Sequence, residues 1–444
     1  MSDVSFDELV RDGETRRVAE WLRASTILEI VDELARLDPE DTAVAFRLLP
    51  RDRALDVFEA LDPGDQQQVL DGLRADRVRQ IIEALDPDDR ARLFDEMPAK
   101  VVTRLLGQLS ADERTLTTVL LGYPEDSAGR LMSPEFVSLR ATSTAGEAIE
   151  KIRREGLDAE TVYALPVLDD HRHLIGITGL RALVLAPTSA RVGELMTTDG
   201  IHQVTTDTDQ EVAARLVREV GLIALPVVDS EGRLVGVITV DDALRVLEDE
   251  ETEDFALAGG ASPLRGNYLA VSAFGLARVR ALWLLLLIVA AALTVNVLQV
   301  FESTLDEVVT LALFIPLITG TGGNSGAQAS TAVIRAMAVG EVRLSDLPRI
   351  VWREARVGMM LGLMLGFAAA LPVAFLYDAD LGTIIMIALL IVCTWATTVG
   401  SALPLLARRA GVDPAVVSAP LITTLVDASA LIIYFVVAKV VLGL

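Results

Sequence analysis

The residue with the most chemistry to explain is Asp427. It is the one charged side chain in the run Pro414 to Ala438, PAVVSAPLITTLVDASALIIYFVVA. About 20 apolar residues suffice to cross a bilayer, and a lone carboxylate at that depth costs roughly 2.5 to 3.5 kcal/mol on insertion scales. Such a group faces a partner, a water-filled cavity or an ion, so Asp427 calls for a cation or a proton. Pro420, Thr424 and Asp427 share one helical face, and Thr423 stands one turn before Asp427. A second polar stretch, Thr319 to Gln328 (TGTGGNSGAQ), interrupts another apolar run with four glycines. Each would weaken a helix by roughly 1 kcal/mol, which predicts a break that bares carbonyls toward protein or a cavity. Gly322, Gly323, Asn324 and Gln328 are then candidate pore lining; close helix packing through small residues is the competing explanation. Carbonyl, amide, hydroxyl and carboxylate oxygens suit hard cations. Mg²⁺ keeps most of its water shell, so one carboxylate per subunit fits it.

Five uncharged runs must position these groups: Ala281 to Phe301, Val308 to Ile334, Val357 to Tyr377, Leu381 to Ala407, and the Asp427 segment. Their connections alternate in sign. Arg278 and Arg280 precede the first; Glu302, Asp306 and Glu307 follow it; then come Arg335 to Arg356, Asp378 with Asp380, and Arg408 with Arg409. The positive-inside rule predicts an integral protein of the cytoplasmic (inner) membrane with its amino terminus in the cytoplasm and its carboxy terminus outside. An odd number of spans leaves no obvious internal pore, which favours a homodimer with the conduit on its two-fold axis.

The 444 residues are 52% hydrophobic, yet the formal charge is −24. Before residue 264 there are 53 acidic and 28 basic residues; from there on there are 10 and 11. A strongly acidic soluble region thus joins a nearly neutral membrane region. This excludes nucleic acid and anionic membrane surfaces as partners of the soluble part and favours dissolved cations, with a merely solubilising surface as the alternative. Cys393 is the only cysteine, so neither a disulfide nor a Cys-based metal site is expected. The start, MSDVSFDELVRDGE, shows no cleavable signal. No nucleophile, general-base pair or closed metal cluster points to an enzyme.

The soluble region is built of repeats. Leu37-Asp38-Pro39-Glu40, Leu61-Asp62-Pro63-Gly64-Asp65 and Leu85-Asp86-Pro87-Asp88 recur every 24 residues, with a weaker copy at Leu109-Ser110-Ala111-Asp112. Asp at the N-cap, Pro at the first helical position and acids in the first turn mark helix starts. Leu49-Pro50, Leu73-Arg74 and Met97-Pro98 divide each repeat into two short helices, which predicts a stacked helical scaffold. Farther on, Leu165-Pro166-Val167-Leu168-Asp169 with Leu174 to Thr178 returns 60 residues later as Leu225-Pro226-Val227-Val228-Asp229 with Leu234 to Thr239. Each copy reads as two strands behind an amphipathic helix and resembles a CBS domain. That resemblance implies a possible adenine-nucleotide (ATP-type) site at Thr239 and Asp242; the first copy has Thr178 but Arg181. His171, His173 and His202 read as exposed loop residues. The stretch Asp241 to Asp254 reads as a helix whose far end carries Glu248, Asp249, Glu250, Glu251, Glu253 and Asp254, stopped by Gly259-Gly260.

This order, together with YPEDSAGRLM (Tyr123 to Met132), GTGGNSGAQ (Gly320 to Gln328) and GVDPAVVSAPLITTLVD (Gly411 to Asp427), resembles the MgtE family of magnesium channels over essentially the whole chain. The resemblance implies a multidomain membrane protein: an all-α helical-repeat N domain (1–129), α/β tandem CBS domains (130–193 and 194–243), an acidic connecting helix (244–263) and an α-helical transmembrane domain of five spans (264–444). It implies a homodimer, Mg²⁺ in the pore at Asp427, and closure when cytosolic Mg²⁺ binds Asp209, Glu211, Asp242, Glu250, Glu253 and Asp254, with Asp95 on the helical domain. Ala327, Ala419, Gly221 and Arg245 stand where the pattern has polar or acidic residues. Two other classes stay open: an ion-coupled divalent cation exporter using Asp427 as coupling carboxylate, and a CBS-regulated membrane receptor that transports nothing.

Overall fold

The Leu-Asp-Pro signals do start helices. In the computed structural model, which describes residues 5–73, 75–95, 97–263 and 273–444, helices open at Pro39, Pro63 and Pro87. Arg51–Glu59, Ala75–Ala84 and Ala99–Leu106 form the second helix of each repeat. Asp38 and Asp62 occupy the N-cap position, but their carboxylates accept no first-turn amide. Proline, with its preset φ and missing N–H, accounts for these starts. Arg74, residues 1–4 and residue 264, where the membrane region was expected to begin, lie outside the described residues.

One apolar core runs through the repeats, through Leu22, Ile30, Leu34, Phe46, Phe58, Ile82 and Phe94. Arg90 is fully buried beside it. Its guanidinium donates to the Ile82 carbonyl at 2.8 Å and the Thr117 hydroxyl at 2.8 Å, and pairs with Glu113 at 2.6 Å. A buried charge is tolerated only when paired in this way, so Arg90 ties the third repeat to the helix Ala111–Leu121.

Each CBS copy is a three-stranded sheet. Leu139–Arg140 runs parallel to Ala164–Leu168, which is antiparallel to Leu174–Gly179; Val204–Thr205, Ala224–Val228 and Leu234–Thr239 repeat the pattern. The copies exchange their lead-in segments. Ser133 of the first copy exchanges backbone bonds with Val237 of the second, Thr197 of the second does so with Ile177 of the first, and Gly129, just before the first copy, donates to Thr206 of the second. The core of the second copy, including Ala213, Val217, Leu225 and Val246, continues into Ala91 and Leu120 of the helical repeats.

The acidic helix Val240–Ala258 follows, and the chain divides into two compact units within it, between Glu250 and Glu251. In the second unit Ala273–Val300, Leu347–Leu376, Ala379–Arg409 and Ala419–Leu442 are long and apolar enough to cross a membrane. Ile315–Ala338 is a fifth long helix, packed against Ala379–Arg409 and Ala419–Leu442. Its 24 residues reach about 36 Å, and its Gly, Ser, Thr, Asn and Gln content makes it less apolar than the others.

The break expected between Gly320 and Gln328 does not form; the helix is continuous, and the irregular turn is a 3₁₀ stretch before it, Val309–Phe314. A continuous helix keeps every backbone group bonded where no water can serve. Its glycines are used for close approach instead. A Cβ on Gly322 would lie 2.6 Å from Val392 Cγ1, and one on Gly400 would lie 2.2 Å from the Gly326 carbonyl oxygen. The helix Leu347–Leu376 also begins earlier than its uncharged run, because Arg349, Arg353 and Arg356 ride within it.

Candidate ion path and cytosolic acid cluster

The helix carrying Asp427 is opened by Ser418, whose hydroxyl accepts from the Leu421 amide, with Pro420 in its first turn. Thr423 and Thr424 donate back to the carbonyls of Ala419 and Pro420, both at 2.9 Å. That leaves hydroxyl lone pairs beside the carboxylate. Asp427 is half-buried, and among the described residues no arginine or lysine pairs with it. It lies against Gly323: a Cβ there would be 3.2 Å from Asp427 Oδ1 and 2.6 Å from Thr423 Cγ2. Asn324, the next residue, belongs to an open groove of about 620 Å³ lined also by Ala327, Gln328, Thr331, Ala332 and Arg335. Gly323, which touches the Asp427 turn, thus directly precedes the first residue of this groove in the chain. Gly322, expected in the lining, is buried against Val392 and Val426 instead, because the helix has no break to turn it outward. Arg335 in the lining was not foreseen.

The second cluster lies in the first unit. Asp242 is buried in the first turn of the acidic helix. It accepts from Thr239 Oγ1 at 2.6 Å and from Arg245 Nη1 at 3.1 Å. The same Arg245 nitrogen lies 3.3 Å from Asp89 Oδ1 of the repeat helix Pro87–Asp95. Asp88, one residue earlier, is buried with Oδ1 lacking any hydrogen-bond partner. Burial, then the neighbouring charges of Asp242, Glu160 and Asp89, push its carboxyl well above the usual carboxylate range. Burial likewise pushes Glu160 up to about 7, assisted by Asp242 and Asp86, and pushes Glu59 and Glu135 up to about 7. Desolvation and like charges both disfavour the ionised form, and the acids of this seam between the repeats and the CBS copies outnumber Arg92 and Arg245, the arginines that reach Asp89 and Asp242.

Of the other candidates, Asp95 does not join that cluster: it pairs with Arg130 at 3.1 Å. Asp209 caps the helix Gln210–Val220, its Oδ1 accepting from Glu211 N at 2.9 Å and Val212 N at 3.3 Å. Glu211 pairs with Arg215. Glu250 accepts from Gln210 Nε2 at 3.0 Å, which brings it beside the Asp209–Glu211 turn. Glu253, exposed, and Asp254 lie on the stretch of the acidic helix that belongs to the second unit. Among the described residues no three His, Cys, Asp or Glu side chains form a ready-made metal cage. Hydrated Mg²⁺ does not demand one, since it binds through one or two carboxylates and its own waters. The orphaned Asp88 oxygen among like charges fits such an ion. Asp88 and Glu160 escaped the sequence reading; the one available signal for Asp88 was its place in the first turn of a Leu-Asp-Pro helix.

Within the second unit the acidic helix ends at Ala258, and Gly260, at φ +69°, turns the chain. A Cβ on Gly260 would lie 3.1 Å from Pro420 Cγ and 3.5 Å from Ser418 Oγ. The acidic helix thus ends against the first turn of the Asp427 helix.

Comparison with known proteins decides the family. A relative from Thermus thermophilus, "Magnesium transporter MgtE", is 43% identical over 331 residues, which is 74% of this chain and 73% of that one. The chain belongs to the MgtE magnesium transporter family. Its profiles match here as divalent cation transporter over 315–437, MgtE intracellular N domain over 26–126, and CBS domains over 128–188 and 192–249. The MgtE of Bacillus subtilis is 33% identical over 72% of this chain and 70% of its own. Among solved structures, "the cytosolic domain of the Mg2+ channel MgtE in complex with ATP" is similar at 39% identity and a TM-score of 0.50, covering 55% of this chain and 98% of that one. MgtE proteins are transporters rather than enzymes, and the helical N domain, tandem CBS domains and apolar carboxy-terminal helices found here are those of the family.

Proposed function

We propose that this chain is a Mg²⁺ channel for uptake across the cytoplasmic membrane, closed by Mg²⁺ bound to its acidic cytosolic half. The observation that carries the reading is Asp427, a carboxylate with no basic partner among the described residues, set against Gly323, which directly precedes Asn324 of the groove. A hydrated divalent ion needs an oxygen-lined path with few fixed ligands. Asp427, the Thr423 and Thr424 hydroxyls, Asn324 and Gln328 are of the type to provide one, shared in a homodimer between two copies. The amino-terminal units would lie in the cytoplasm and the carboxy terminus outside.

For closure, Mg²⁺ would bind where carboxylates outnumber the chain's own cations: Asp88 with Glu160 in the seam, where Asp242 is paired with Arg245, and the Asp209–Glu211 turn with Glu250. Glu253 and Asp254, in the second unit, would supply ligands of their own. Asp88 replaces Asp95 as the N-domain ligand, since Asp95 is paired with Arg130. Swinging a two-state gate from 1:99 to 99:1 takes about 5.5 kcal/mol. One site at ten times its dissociation constant supplies about 1.4 kcal/mol if the open state does not bind. About four sites are needed, which matches acids spread over several elements. The contact of Gly260 with Pro420 gives the acidic helix a mechanical hold on the Asp427 helix.

An adenine nucleotide at the second CBS copy is a further part of the proposal. It rests on Thr239 and Asp242 being brought together at 2.6 Å and on the ATP complex of the 39%-identical relative.

The gating part is tested by Mg²⁺ influx into proteoliposomes at low and high Mg²⁺ on the cytosolic face. Asp88→Asn is expected to conduct normally and to need several-fold more cytosolic Mg²⁺ for shut-off. Shut-off at the parent concentration would remove Asp88 from the sensor.

A further inference from the structure

The acid-rich seam between the helical repeats and the second CBS copy already contains a cation of the chain's own. Arg245 Nη1 lies 3.3 Å from Asp89 Oδ1 on the repeat helix Pro87–Asp95 and 3.1 Å from Asp242 Oδ1 on the acidic helix. Asp89 is 156 residues away in sequence, so the guanidinium bridges two domains. Arg92 approaches Asp89 from the repeat side at 3.4 Å. The side chains of Asp89 and Asp242 are only 17% and 10% exposed and that of Arg245 36%, so bulk solvent screens the bridge incompletely. Beneath it the two domains share a dry core, in which Ala91 and Leu120 of the repeats pack with Val246 and Leu247 of the acidic helix. The guanidinium fork can donate to two carboxylates at once.

We propose that Arg245 is a resident clamp that holds the helical repeats against the second CBS copy in the absence of Mg²⁺, occupying Asp242 in place of a divalent ion. A tethered cation is present at a fixed high effective concentration. The seam therefore stays closed as cytosolic Mg²⁺ falls. This rests on the gating reading only in its consequence: Mg²⁺ at Asp88 and Glu160 would reinforce a seam that Arg245 already holds, and the larger Mg²⁺-dependent movement falls at the Asp209–Glu211 turn and Glu250.

The test is hydrogen exchange on the full-length chain in lipid nanodiscs, with EDTA and with saturating Mg²⁺, followed at Pro87–Asp95 and Val240–Leu247. In the parent both segments are expected to be protected in EDTA, with less than about twofold further slowing by Mg²⁺. Arg245→Ala should exchange roughly tenfold faster there in EDTA, the scale of one buried polar interaction, and recover with Mg²⁺. Arg245→Lys should fall between. Asp89→Asn should match Arg245→Ala, and the double variant should add little, as expected for partners in one contact. Unchanged exchange at Ala164–Leu168 of the first CBS copy guards against general unfolding. Protection of Arg245→Ala in EDTA equal to the parent, or a parent seam that opens in EDTA, overturns the proposal. Shut-off of flux by Mg²⁺, measured on the same preparation, decides the gating reading, so the two fail separately.

Discussion

Gly323 offers a sharp perturbation because its neighbours are known atom by atom. A methyl group there would lie 2.6 Å from Thr423 Cγ2 and 3.2 Å from Asp427 Oδ1. Ordinary carbon contacts are about 3.5 to 4.0 Å, so Gly323→Ala overlaps Thr423 by about 1 Å. Overpacking of this kind costs roughly 1 to 3 kcal/mol. Alanine returns about 1 kcal/mol of helix propensity, so the folded protein should melt within a few degrees of the parent. The overlap, however, falls on the turn that carries Asp427. If 1 to 3 kcal/mol lands on the ion-bound state, Mg²⁺ influx falls about 5- to 150-fold. Gly320→Ala is the control: nothing lies within 4 Å of its Cβ position, so it gains propensity with no clash and should conduct as the parent does. Thr423→Ser removes the obstructing methyl group and keeps the hydroxyl, and added to Gly323→Ala it should restore most of the influx. The assay is Mg²⁺ uptake into proteoliposomes with matched protein content, beside thermal melts of the same samples. Equal influx in Gly323→Ala and Gly320→Ala would refute the placement of Asp427 against this turn as part of the path.

Three further outcomes follow from the first unit and the helix packing. Glu59, Glu135 and Glu160 have carboxyls pushed up to about 7 when folded, from an ordinary 4.5. The folded state then holds more protons than the unfolded one between about pH 4.5 and 7, so its stability falls as pH rises through that window. Thermal melts should show a higher midpoint at pH 6 than at pH 8, and Mg²⁺ should raise the midpoint more at pH 8; a pH-independent Mg²⁺ effect would argue against Mg²⁺ binding at Glu160. Arg90→Ala strands Glu113 and empties a fully buried site, which should cost about 3 to 5 kcal/mol and melt the helical repeats early. Gly362→Ala would set a methyl group 2.6 Å from Leu390 Cα; because backbone cannot step aside, it should lower the detergent melting midpoint more than Gly320→Ala does.

What could be read without coordinates was whatever is written in local chemistry. Proline after Leu-Asp set the helix starts of the repeats, and the apolar runs Leu165 to Leu168 and Leu174 to Thr178, returning 60 residues later, set the paired CBS strands. The two-residue strands Leu139–Arg140 and Val204–Thr205 were invisible because they are too short to show a period. So was the exchange of lead-in segments between the copies, which depends on backbone bonds such as Gly129 to Thr206. The glycines of Gly320 to Gln328 suggested a break because propensity was weighed without the partner helix. Once Gly326 meets Gly400 and Gly322 meets Val392, the same residues favour a continuous, closely packed helix. Asp95 and Asp88 are seven residues apart, nearly the same face of one helix two turns apart. Sequence alone does not tell which of the two is already paired; Asp95 has Arg130, while Asp88 Oδ1 has no hydrogen-bond partner.

The central claim is that Mg²⁺ crosses beside Asp427. The direct measurement is Mg²⁺ influx into proteoliposomes of the parent and of Asp427→Asn, a change that keeps shape and removes charge, with low Mg²⁺ on the cytosolic face and no proton or sodium gradient. Influx that follows the Mg²⁺ gradient in the parent and falls at least about tenfold in Asp427→Asn, the effect of some 1.4 kcal/mol at one ion site, is the result expected. Undiminished influx in Asp427→Asn, or flux that appears only with an imposed proton or sodium gradient, would contradict it.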